Sequence, residues 1–131
     1  LRELGMTMNP QAAHFTLLGI ETLSLRMDRH VANAQAVAEW LERSPAVASV
    51  SYGGLASHAQ AARAALYPRG LGALFTFRLK EGYEKCVSVI GKLNLISHVA
   101  NLGDSRTLML HSASTTHGQR AALPLDVPVT V

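Results

Sequence analysis

Residues 97–117, SHVANLGDSRTLMLHSASTTH, gather most of the side chains in this chain whose types and spacing could do chemistry. His98, His111 and His117 lie here, with Asp104 and Arg106 two positions apart and the hydroxyls of Ser112, Ser114, Thr115 and Thr116. His111 and His117 flank a small loop, but no cysteine lies near and no His-x-x-x-His pair exists, so a metal site lacks its usual spacing. Ser112 or Ser114 with His98 and Asp104 has the composition of a hydrolytic triad, yet the Gly-x-Ser-x-Gly elbow is absent. Gly70-Leu71-Gly72 lacks the third glycine and the strand-before-helix setting of a dinucleotide loop. Asp104 and Arg106 read as a pair across a turn, worth little if exposed. Asn101 and residues 112–117 remain, open to two readings: turn chemistry, or a polar loop carrying function on a rigid scaffold.

The elements that must position this stretch follow from periodicity. Asn9-Pro10 is a helix start, because Asn can cap and Pro is tolerated in the first turn. Ala13, Leu17, Leu18 and Leu25 supply an apolar helical face, and Val31, Ala34, Ala38 and Leu41 continue at helical spacing. Residues 9–43 are one long helix with a bend, or two in close succession, stopped by Ser44-Pro45. Residues 47–52 alternate as a half-buried strand, and Gly53-Gly54 ends it. Residues 59–66 are alanine-rich and helical, and 74–79 form the clearest strand. Residues 83–93 form a helix with Cys86, Val87, Ile90 and Leu93 inward. Two short strands bracket the turn Asn101-Leu102-Gly103-Asp104. After His117 two prolines make any extended structure edge-like or loose. The expected fold class is α+β, a small sheet covered by helices.

Composition narrows the function classes. The chain has 131 residues, 48% apolar and 16% charged, the size and balance of one folded domain. Its net charge of +3 comes from scattered arginines without aromatic interleaving, which argues against nucleic-acid binding. Cys86 is the sole cysteine, so no intrachain disulfide forms and a reducing, cytosolic setting is expected, with the thiol structural. The apolar runs are too short to span a membrane.

Three segments in order resemble one family. LGIETLSLRMDRHVANAQAVAEWLE is similar to the helix joining the large and small domains of the Cys/Met-metabolism pyridoxal-phosphate (PLP) enzymes. VSYGGLASHAQ resembles that family's strand and Leu-x-Ser-His segment, and SHVANLGDSRTLMLHSASTTH its C-terminal signature, in the form most like O-acetylhomoserine sulfhydrylases.

The resemblance implies the aspartate-aminotransferase type of fold (fold type I). Residues 1–43 would be the end of the large domain and the interdomain helix, 44–117 the C-terminal small domain, and 118–131 a divergent or truncated tail. It implies PLP, held through a lysine Schiff base, and replacement of acetate on O-acetyl-L-homoserine by sulfide to give homocysteine. Asn101 and Thr116 would be substrate-binding, Asn101 beside the α-carboxylate, and a homotetramer is usual. The cofactor lysine would lie upstream of Leu1, since Lys80, Lys85 and Lys92 match no cofactor motif. The family's carboxylate-clamping arginine strand is replaced here by GQRAALPLDVPVTV. The expectation is a fragment or truncated homologue without catalysis of its own. The alternative is a non-catalytic binding or oligomerisation module.

Overall fold

The structure, a computed structural model, describes residues 4–115 and the strand at 129–130. Asn9 opens α1 (Pro10–Glu21): its side-chain oxygen accepts the Ala12 N–H at 2.8 Å, and Pro10 occupies the first turn. Thr22 interrupts the helical path, and α2 (Leu23–Glu42) follows at once, so the long helical stretch is two helices in succession. Arg26 bridges the break, donating from Nη2 to the Gly19 carbonyl at 2.6 Å and from Nε to Thr22 Oγ1 at 3.3 Å.

The inner face of α2 is set by small residues. Ala34, Ala38 and Leu41 are buried at helical spacing, Ala38 completely, which lets the helix lie close on the sheet. β1 (Val47–Ser51) pairs antiparallel with β2 (Thr76–Leu79). A register shift between Val47 and Ser49 breaks the expected strict alternation in β1, leaving Val47 and Val50, three apart, as its half-buried positions. β2 does alternate, with Phe77 and Leu79 buried. The segment after β1 is tied back to the body: Gln35 Nε2 donates to the Gly54 carbonyl at 3.1 Å, and the Tyr52 hydroxyl to the Gly72 carbonyl at 2.9 Å. Residues 59–66 were expected to be helical; Ala61–Leu66 form a 3₁₀ helix, too short to nucleate α-helix and stopped by Tyr67-Pro68. Gly70 adopts φ +100°, and a side chain there would run into Val31 on α2, so it sets how closely this loop meets the helix.

α3 (Gly82–Ile90) ends at Gly91, shorter than the expected 83–93. Cys86 is buried, and Val89, Ile90 and Leu93 pack on the core. Val87 was expected inward and is 43% exposed, because it falls off the stripe that 86, 89, 90 and 93 make at helical spacing. β3 (Ser97–His98) and β4 (Leu108–His111) pair in parallel. Parallel pairing obliges the chain to travel back before β4 can start, so residues 99–107 form a loop beyond the strand ends. β5 (Val129–Thr130) corrects the expectation of an edge strand: it pairs antiparallel with both β2 and β4, and the sheet order is β1-β2-β5-β4-β3.

The core joins Ala34, Ala38 and Leu41 of α2 to Phe75, Phe77, Leu79, Cys86 and Met109. α1 contributes nothing buried: Phe15, Leu17 and Ile20 are 70%, 61% and 57% exposed. Its apolar face exists as expected but is uncovered. Among the described residues, no helix is long and apolar enough to cross a membrane.

Candidate functional site

The loop between β3 and β4 is organised by one carboxylate. Asp104 Oδ1 accepts from the Arg106 backbone N–H at 2.9 Å and from its Nε at 3.2 Å, while Oδ2 accepts from Nη2 at 3.1 Å. This is the pair across the turn expected from the sequence. The two-point guanidinium contact holds the Asp104 carboxyl well below the usual carboxylate range, and the carboxylate in turn raises the Arg106 guanidinium. Gly103 takes φ +86°, the turn role its position predicted.

Asn101 belongs to the same cluster. Its Oδ1 accepts the Leu102 N–H at 2.9 Å, which turns the amide nitrogen the other way, toward Asp104 Oδ2 at 3.5 Å. An amide nitrogen carries two N–H groups, and one long contact leaves donor capacity facing outward from an exposed side chain. Asn101, Asp104 and Arg106 line one rim of a cleft of about 630 Å³ between α2, the sheet and this loop. Phe77, Leu79 and Met109 give the cleft apolar lining, and His30, Asn33 and Trp40 of α2 line it as well. Sequence reasoning did not assign those three; the only signal was their spacing of three and seven along a helix face.

The second polar cluster lies at the end of β4. His111 is 2% exposed, its Nδ1 is 2.9 Å from Ser114 Oγ, and its ring meets Tyr83 of α3 edge-on with centroids 4.9 Å apart. Its backbone carbonyl accepts from Ser114 Oγ at 3.2 Å and from Thr115 Oγ1 at 2.8 Å. Burial, reinforced by the nearby His98, pushes the imidazole pKa down. Ser114 therefore serves His111, while Asp104 serves Arg106 and Asn101, so Ser114, His98 and Asp104 do not form a triad. Among the described residues, no three His, Cys, Asp or Glu side chains converge on a metal-sized site. Cys86 is buried as expected, and burial pushes its thiol pKa up. Thr116, His117 and Arg120 lie outside the described residues.

Residues 1–123 match the family described as Cys/Met metabolism PLP-dependent enzyme. The chain belongs to that family. It is 52% identical over 120 residues to O-acetyl-L-homoserine sulfhydrylase 1 of Thermus thermophilus, covering 91% of this chain and 28% of that protein. It is 46% identical to the homocysteine synthase of Schizosaccharomyces pombe over the same shares of each chain. Its fold superposes with a TM-score of 0.83, at 32% identity, on cystathionine gamma synthase from Xanthomonas oryzae pv. oryzae in complex with aminoacrylate and cysteine, covering 98% of this chain and 35% of that one. The chain thus spans about 28% of the length of the curated relatives it matches.

The family depends on PLP. Lys80 and Lys92 are exposed, and Lys85 is held by Glu81 at 2.9 Å on the outer turn of α3. None sits in an enclosed, desolvated site, so these lysines do not fit covalent attachment of the cofactor.

Proposed function

We propose that the chain is the C-terminal part of an O-acetylhomoserine sulfhydrylase-like PLP enzyme, acting in replacement of acetate by sulfide to give homocysteine. In this reading residues 1–43 are the end of the large domain and the interdomain helix. Residues 44–117 are the small domain of the aspartate-aminotransferase type, and 118–131 a divergent tail. The working assembly is a cytoplasmic homo-oligomer, and PLP, when bound, stabilises carbanionic charge on the amino-acid substrate. This chain's own contribution is recognition of the substrate α-carboxylate by Asn101, with Thr116 as its partner.

The observation that carries the reading is the orientation of the Asn101 amide. Its oxygen is occupied by the Leu102 N–H, so the side chain presents N–H donors, the polarity a carboxylate requires. The Asp104–Arg106 pair keeps the neighbouring charge balanced, so the carboxylate of Asp104 does not repel a second one. The test is titration of the ¹⁵N-labelled chain with O-acetyl-L-homoserine, and separately with its α-carboxamide. The Asn101 side-chain NH₂ signals should shift with the acid and not with the amide. Equal response to both ligands, or to neither, removes the carboxylate role.

The uncovered face of α1 favours a second reading, a non-catalytic module that uses this helix for association. Concentration-dependent sedimentation abolished by Phe15→Lys, with no response at Asn101, would support it over the first.

A further inference from the structure

His111 is buried, titratable and untouched by the carboxylate chemistry at Asn101. Its hydrogen bonds determine where its proton sits. Ser114 Oγ lies 3.2 Å from the His111 carbonyl oxygen and 2.9 Å from His111 Nδ1. A serine hydroxyl has one proton and a carbonyl oxygen can only accept, so the bond to the carbonyl, where it is made, uses that proton. In that arrangement Oγ meets Nδ1 as an acceptor, which requires the hydrogen on Nδ1. The ring also meets Tyr83 of α3 edge-on, and His98 of β3 is close enough to act on it electrostatically.

We propose that His111 is a positioning residue: as the Nδ1–H tautomer it clamps the Ser114–Thr115 turn onto the end of β4 and so fixes where the Thr115 hydroxyl lies. One imidazole and one carbonyl of the same residue thereby hold both hydroxyls of the turn, Ser114 directly and Thr115 through the 2.8 Å bond to the carbonyl. The clamp stands independently of the substrate-binding reading above.

The experiment uses the ¹⁵N-labelled chain without ligand, so its outcome is independent of the Asn101 titration. Long-range ¹⁵N–¹H correlation at neutral pH should show His111 protonated on Nδ1; protonation on Nε2 overturns the proposal. Two variants then separate hydrogen bonding from packing. His111→Asn keeps an N–H near the Nδ1 position, whereas His111→Phe keeps the ring against Tyr83 and loses the donor. Amide exchange at Thr115, whose N–H reaches the Ser112 carbonyl at 3.4 Å, is measured relative to Phe77 in the sheet. His111→Phe should accelerate it roughly tenfold, and His111→Asn should keep it within about twofold of the parent. Retained protection in the Phe variant, or lost protection in the Asn variant, shows that ring volume holds the turn, and the proposal fails.

Discussion

Burial and the proximity of His98 hold the His111 imidazole below its ordinary value of 6.5. Between that lowered pKa and the ordinary one, the unfolded chain binds a proton that the folded chain does not. Stability therefore rises with pH across this window, is complete above about 6.5, and is lost as pH falls toward the lowered value. The urea midpoint of the parent chain should fall over this range relative to that of His111→Phe, whose curve lacks the His111 contribution. Parallel curves would mean that His111 titrates alike in both states. Asp104 is shifted in the same direction from a lower ordinary value: its carboxyl is depressed, so its contribution is present at neutral pH and lost only in strong acid, and exposure to solvent keeps it small. Asp104→Ala should leave the Phe77 amide protected while residues 101–106 exchange faster, because the carboxylate organises the loop and not the core. The Asp104–Arg106 pair and the Gly103 turn were readable in the sequence because the partners lie within a few residues of one another. The contact of His111 with Tyr83 was not, since nothing local links α3 to the end of β4.

At the scale of elements, the sequence signals worked where a cap or a sustained period was present. Asn9 does cap α1, and Asn9→Ala should cost about 1 kcal/mol of local helix stability, seen as faster exchange in α1 alone because α1 buries nothing. Ala38 lies wholly inside between α2 and the sheet, so Ala38→Leu should destabilise the fold by about 1–3 kcal/mol through overpacking, measured by urea denaturation. Gly70→Ala should also destabilise, since φ +100° and the approach of Val31 both exclude a side chain. Local reading failed where elements are short or irregular. The register shift in β1 and the 3₁₀ form of residues 61–66 depend on pairing and chain stops, and alternation or alanine content do not encode them.

Taken whole, the chain has a core of one helix face packed on a small sheet and a cleft lined in part by Asn101, but no lysine suited to the family's cofactor. Incubation of the purified chain with PLP, followed by borohydride reduction, should leave no stoichiometric label on Lys80, Lys85 or Lys92, and the chain alone should not consume O-acetylhomoserine. A single labelled lysine would place a cofactor site within these residues. The residues alone carried the α+β class, the helix start at Asn9-Pro10, the Asp104–Arg106 pair and, through three ordered motifs, the family, because each depends on side chains close in sequence or on a pattern repeated along it. Tertiary structure alone decided that β5 lies inside the sheet between β2 and β4, that α1 stays uncovered, and that His111 meets Tyr83. Those outcomes depend on which distant segments pack together. Periodicity says which face of an element is apolar; only the assembled chain says what, if anything, covers it.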